Sequence, residues 1–349
     1  MKQRTKVIID TDVDFDDYMA MVYLMQNPEV DVIAISVTGC GAAHLSKGVN
    51  NVANLLTLFG DKALTLPVLR GAKAPMRYSN VFPADVRTGA DDHYDAPFPA
   101  TNPSPQIHDA QTWLRNFFLN NEEKITILSI GGGTNFGHLF LSAQNDEVLT
   151  QKLKSGIEKI VMMGGNILPR DITPGAMGNI EAALGDNVYY QNTVAEWNIF
   201  IDPLGAKIMF EFGVPIRLIA LNATNDVPIE QSFVDELNAI NTPQAQFLSD
   251  VLAYPANAAG IGTFLSFWDP LAACTITVPD LVTTETFQLL VWQELDEEDD
   301  QSASLIVDTV NGTAIDVAIA ASKDAVYAEY LRVLRLPLPD TNSSCPTKS

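Results

Sequence analysis

Four apolar runs, each ending in glycines or polar residues, constrain this chain more than anything else in it. They are Val7-Ile8-Ile9 and residues 30–37 (VDVIAISV), 125–130 (ITILSI) and 157–163 (IEKIVMM). β-Branched residues pack well on a pleated surface, and continuous apolar runs read as strands buried on both faces. Helix-like segments lie between them, such as 18–26, 45–59 and 109–120, so the pattern is that of a parallel α/β sheet. The expected fold is an open, mostly parallel central sheet flanked by helices, with a small β-hairpin insertion near 287–308. Residues 1–336 read as a single domain. Residues 337–349, rich in Pro, Ser and Asn, read as a flexible tail.

Sheets of this kind take ligands beyond the carboxyl ends of their strands. At the end of the first strand stands Asp10-Thr11-Asp12-Val13-Asp14-Phe15-Asp16-Asp17, with five carboxylates in eight residues. The helix that follows carries Asp16 and Asp17 in its first turn. Crowding these groups costs charge repulsion unless a cation or a shared proton relieves it. A hard divalent cation is the simplest relief, because Ca2+ and Mg2+ take carboxylate oxygens. A lone Asp here would be only a helix cap, but five together point to a site. An EF-hand loop would need Gly and Glu where the chain has Phe15 and Met21, so that reading fails. A phosphatase of the haloacid dehalogenase type also opens with a strand and Asp-x-Asp, with Asp10 as nucleophile and Mg2+ as cofactor. It stays as the alternative.

Further along, the strand ends carry Thr38-Gly39-Cys40-Gly41, Gly131-Gly132-Gly133-Thr134-Asn135 and Gly164-Gly165-Asn166. None has dinucleotide or P-loop spacing. Residues 75–105 have no clear period and read as a lid or substrate loop. His93 lies in that loop and reads as a surface histidine. A second irregular stretch covers 168–192. In Ala195-Glu196-Trp197-Asn198, an extended chain would turn Glu196 and Asn198 to one side, which suits hydroxyl recognition. Asp269, in Phe267-Trp268-Asp269-Pro270, is placed to cap an apolar helix.

Composition removes several classes of function. The chain has 43 acidic and 21 basic residues, a net charge of −22, which disfavours nucleic acid and anionic membranes as partners. The acidic loop 294–300 reads as a solvated hairpin tip. Three scattered cysteines fit neither a disulfide framework nor a zinc site. There is no apolar run long enough to span a membrane and no leader-like start, so the expected location is cytoplasmic; a secreted or periplasmic form with its leader removed would read the same way.

Taken together, these segments resemble the inosine-uridine preferring nucleoside hydrolases. The residues that carry the resemblance are Asp10-Thr11-Asp12 with Asp16-Asp17, Gly131 to Thr134-Asn135, Met163-Gly164-Gly165, Ala195-Glu196-Trp197-Asn198 with Asp202-Pro203, and Trp268-Asp269-Pro270. The resemblance implies a nucleoside hydrolase-like fold, one tightly held Ca2+ and hydrolysis of the N-glycosidic bond of ribonucleosides. It further implies Asp12 as metal ligand and general base. Asp17, Asp269 and the backbone carbonyl of Thr134 would complete the metal site, with Asp10 supporting them from behind. Asp16, Glu196 and Asn198 would hold the ribose, with Asn179, or else Asn187, as a further sugar ligand. Members are commonly dimers or tetramers, so a homo-oligomer with a small-molecule nucleoside substrate is expected.

Three departures from the family pattern stand out. The usual Pro-Gly of the first motif is Val13-Asp14. An Asn after the second strand is replaced by the Gly39-Cys40-Gly41 turn. The His that often precedes the last Asp is Trp268, which implies aromatic stacking at the departing base and a purine lean. A third reading, a catalytically idle nucleoside- or sugar-binding protein, would show ligand binding without turnover.

Overall fold

A computed structural model describes residues 3–99, 105–167, 178–180, 192, 194–294 and 302–339. Its centre is a ten-stranded sheet of order β4-β3-β2-β1-β5-β6-β7-β10-β8-β9. The strands are β1 (Thr5–Thr11), β2 (Val30–Val37), β3 (Pro67–Arg70), β4 (Gln106–Asp109), β5 (Ile125–Ile130), β6 (Ile157–Met163) and β7 (Ile216–Ile219), then β8 (Val282–Val291), β9 (Leu305–Val307) and β10 (Thr313–Ala321). All pairings from β4 to β10 along that order are parallel, and β8 runs antiparallel to both β10 and β9. β5 is buried along its whole length, as its uninterrupted apolar run requires. Two apolar clusters, divided by the sheet, form the core.

The four strands expected from the sequence are all present. The hairpin, however, is not an insertion: β8 pairs with β10 over most of its length, so the hairpin is the antiparallel edge of the main sheet. Its acidic tip, 295–301, lies outside the described residues, as do 340–349 of the tail. The stretch 75–105 is not simply irregular. It holds the helix α3 (Ala84–Asp91) and a short turn at His93–Asp95. It is also tied down: Asn80 Nδ2 donates to the Phe200 carbonyl at 2.7 Å, and the Arg87 guanidinium donates to the carbonyls of Ala42 and Gly39 at 3.2 and 3.1 Å. Those polar anchors are long-range, so no local periodicity announces them.

Order along the sheet reverses at β1, whose two neighbours are β2 and β5, and ligands gather at such switch points. Helix α1 (Phe15–Gln26) leaves the end of β1 and is buried at 11 of its 12 residues. It packs against the helix Trp268–Thr277, which is also almost wholly buried. A helix that is apolar all round belongs in the middle of a protein. Placing two of them side by side brings their amino-terminal turns together, and with them Asp16, Asp17 and Asp269.

Candidate active site

A cavity of about 380 Å³ opens at the carboxyl ends of β1, β5 and β6. Asp12, Asp16, Asp17, Asn179, Glu196, Asn198, Trp268 and Asp269 all line it. Asp16, Asp17 and Asp269 each offer an oxygen within 4.8 Å of the other two, and all three are buried. The Asp269 backbone N–H also reaches Asp16 Oδ2 at 3.3 Å. Asp269 is therefore not the cap of its helix. Phe267 occupies that position, and Asp269, the second residue of the helix, turns its carboxylate to the cluster.

Backbone donors fix the first loop. Asp17 Oδ2 accepts from the Asp14 N–H at 2.9 Å, and Asp17 Oδ1 accepts from the Asp12 N–H at 3.3 Å and from the Thr11 hydroxyl. Asp14 caps α1 and forms a capping box with Asp17, which gives the extra carboxylate a structural duty. Val13 is held at φ 67°, a left-handed conformation that a β-branched residue adopts at a cost of about 1–3 kcal/mol. Asp12 Oδ2 accepts from the Ala42 N–H at 2.9 Å. A Cβ on Gly41 would lie 1.6 Å from that oxygen, so only glycine lets the turn after β2 close on Asp12.

These carboxyls are costly to bury together. Burial, then repulsion from Asp14, pushes Asp12 up to about 7. Burial and the neighbouring carboxylates drive Asp16, Asp17 and Asp269 well above the usual range. Among the described residues no Lys or Arg forms an ion pair with any of them. The donor set is oxygen only, buried and without a protein cation, which fits a hard divalent ion.

Glu196 and Asn198 meet at the cavity for a different reason from the one the sequence offered. The segment is not extended: Glu196 caps the short helix Trp197–Ile201 and accepts from the N–H groups of Asn198 (2.9 Å), Ile199 (3.2 Å) and Gly165 (2.8 Å). Burial still pushes it up to about 7, against those three donors. Asn198 Nδ2 donates to the Met163 carbonyl at 3.2 Å, and Asn179 Oδ1 accepts from the Trp197 N–H at 3.1 Å. Asn187 lies outside the described residues.

Two expectations meet a different geometry. Thr134 does not line the cavity: its hydroxyl donates to Asp202 Oδ2 at 2.7 Å, and its carbonyl, at the start of α5 (Thr134–Ala143), points along that helix. Ile130, the last residue of β5, does line it. Its side chain is apolar, so any polar contact it makes there comes from its backbone. Asp10 is fully enclosed behind the loop, where its Oδ1 accepts from Asn135 Nδ2 at 2.8 Å, and it does not reach the cavity. The phosphatase reading, which needs Asp10 as an accessible nucleophile, fails on this point. The sequence pointed to Trp268 alone among the rings at the aromatic end of the cavity; Phe15, Phe82, Tyr94, Trp197 and Tyr254 also form it. Most of these come from segments without any period that could flag them.

A converging set of buried carboxylates and amides at the switch point of a parallel sheet suits a hard cation together with a hydroxyl-bearing ligand, the marks of a metal-dependent enzyme. Comparison narrows the class. The sequence model of the inosine-uridine preferring nucleoside hydrolases matches residues 7–328. The pyrimidine-specific ribonucleoside hydrolase RihA of Photobacterium profundum is 28% identical over 250 residues, 71% of this chain and 70% of that protein. RihA of Escherichia coli O81 is 28% identical over 283 residues, 80% and 81% of the two chains. Among solved structures, the purine-preferring ribonucleoside hydrolase of Gardnerella vaginalis superposes with a TM-score of 0.75 at 23% identity, covering 95% of this chain and 98% of its own. The inosine-uridine preferring enzyme of Bacillus anthracis gives 0.73 at 22%, covering 95% and 99%. The chain belongs to the inosine-uridine preferring nucleoside hydrolase family and is a ribonucleoside hydrolase. No helix among its described residues is long and apolar enough to cross a membrane.

Proposed function

We propose that residues 1–336 form one catalytic unit that hydrolyses the N-glycosidic bond of ribonucleosides with Ca2+, leaning towards purines. One observation carries the reading: Asp16, Asp17 and Asp269, from opposite ends of the chain, share one buried spot beside Asp12 at the end of a nucleoside-sized cavity. Asp12, Asp17 and Asp269 would hold the ion, together with the Ile130 carbonyl in the place first assigned to Thr134. When bound, the ion lowers the pKa of a coordinated water and supplies positive charge beside the sugar hydroxyls.

Asp12 takes the water's proton. Its Oδ2 accepts from the Ala42 N–H, which orients the carboxyl group for that transfer. Attack falls on the anomeric carbon while the bond to the base breaks, through a transition state with positive charge on the ribose ring. Asp16, Glu196, Asn179 and Asn198 grip the hydroxyls, and the carboxylates among them stabilise that charge. A deoxyribose would leave one of these buried groups unpaired, so ribosides are preferred by a wide margin. At the other end, Trp268 meets Phe15 edge-on (6.0 Å) and Trp197 stacks on Phe82 (4.4 Å). Flat aromatic walls of this extent suit a bicyclic base.

The test is a panel of ribonucleosides scored for reducing sugar, with Asp12→Ala as control and Ca2+ or Mg2+ restored after chelation. Purine ribosides turned over with Ca2+, and silence from Asp12→Ala, are expected. Equal turnover by Asp12→Ala refutes the mechanism, and better recovery with Mg2+ refutes the choice of ion.

A further inference from the structure

Two carboxyl groups in the cavity are not among those proposed to hold the ion or the ribose. Asp14 lies where the acidic end meets the aromatic one, and it accepts a hydrogen bond from the Tyr94 hydroxyl. Asp85, in the first turn of α3, is exposed and also lines the cavity. The rings beside them form a chain of edge contacts, Trp268 to Phe15 at 6.0 Å, Phe15 to Tyr94 at 6.5 Å and Tyr94 to Tyr254 at 5.4 Å. Ring faces attract cations, and a phenol that donates to a carboxylate has a more electron-rich face. Among the described residues lining the cavity there is no Lys, Arg or His to oppose a positive ligand.

The missing imidazole matters for the chemistry as well as the charge. A neutral base departs as an anion unless an acid protonates it. The chain has four histidines, and none lines the cavity. His44 pairs with Asp91 at 2.8 Å, His93 packs on Phe98, His108 lies on the exposed edge strand β4 and His138 lies in α5.

Resting on the hydrolase reading above, we propose that the preferred substrates are N-ribosides whose base carries a fixed positive charge, namely N-ribosylpyridinium compounds and purine ribosides alkylated at N7. In such a substrate the bond from C1′ to nitrogen breaks with its electron pair moving onto the ring nitrogen, which neutralises the base. Water forms the new C1′–O bond and gives one proton to Asp12 and onward to solvent. The products are ribose and an uncharged base, and no acid is required at the leaving group. Asp14, Asp85 and the ring chain around Tyr94 supply the cation site.

The experiment uses the full chain loaded with Ca2+ and compares kcat/KM for N-ribosylnicotinamide and 7-methylguanosine with inosine, guanosine and uridine. Intrinsic lability of the charged ribosides is separated from recognition by inhibition, with the N1-methylnicotinamide cation set against neutral nicotinamide. Asp85→Asn tests the site on an exposed residue where folding is safe. The expected results are a tenfold or greater preference for the charged ribosides, a Ki at least tenfold lower for the cation, and a several-fold fall in the charged-to-neutral ratio of kcat/KM in Asp85→Asn. Parity between charged and neutral substrates overturns the proposal while leaving the hydrolase reading intact. So does a charged-substrate preference that is accompanied by equal Ki values and an unchanged ratio in Asp85→Asn, since lability alone then explains it. Failure of every riboside to release base overturns both.

Discussion

The two ends of the cavity are built in opposite ways. At the acidic end, carboxylates are held by backbone N–H groups, most of them within a few residues: Asp17 by Asp12 and Asp14, Glu196 by Asn198 and Ile199. At the aromatic end, rings from distant segments touch one another edge-on or in stacks, as Phe82 does with Trp197 and Tyr94 with Tyr254. A carboxylate pinned by main-chain donors cannot shift without refolding its loop. A ring held by other rings can be exchanged for a similar one at small cost. On the proposed mechanism the chemistry resides in the first end, and the choice of base is free to vary at the second.

The contrast makes graded predictions. Asp12→Ala, which removes the base and a proposed metal ligand, should lower kcat by roughly 10³-fold in a reducing-sugar assay. A loss under tenfold would mean that the acidic end is not where the reaction is driven. Gly41→Ala puts a methyl group against Asp12 Oδ2 and should cost on the order of 10²-fold in kcat, because small misplacements of a reacting group are expensive. An unchanged rate would show that the turn after β2 does not position Asp12.

Glu196 sharpens the comparison through pH. Folded, it keeps its proton to about 7, whereas its ordinary value is 4.5. The folded state thus binds more protons across that window, and unfolding free energy falls as pH rises from about 4.5 to 7. The drop amounts to about 3 kcal/mol when complete. Denaturant unfolding of chelated protein across this range should show a shallower slope in Glu196→Gln than in the parent, and an equal slope would rule out the buried carboxyl as its source. The smallest effect belongs to the aromatic end. Tyr94→Phe keeps the ring and removes the bond to Asp14, and should change kcat/KM by less than tenfold. A loss as large as that of Asp12→Ala would erase the distinction between the two ends.

The same contrast explains what the sequence disclosed. Carboxylates crowded after a buried strand are a local signal, and so Asp12, Asp16 and Asp17 stood out at once. Glu196 and Asn198 were picked out on a wrong local geometry, since a helix cap and an extended strand can both turn a Glu and an Asn towards one cavity. Asp269 looked like a cap because only the packing of its helix against α1 shows otherwise. Gly41 shows in the letters only as part of a turn, because its use is an empty space beside Asp12, and Ile130 shows only as the last apolar residue of a strand. Tyr94, Phe82 and Tyr254 were illegible for a related reason: loops tied down by long-range hydrogen bonds have no period to read.

The most direct test of the central claim is a calorimetric Ca2+ titration of chelator-stripped protein, parent against Asp269→Ala. One tight site per chain in the parent, lost in Asp269→Ala together with turnover, is the predicted result. A parent chain that binds no Ca2+, or an Asp269→Ala chain that binds it as well as the parent, would contradict the account.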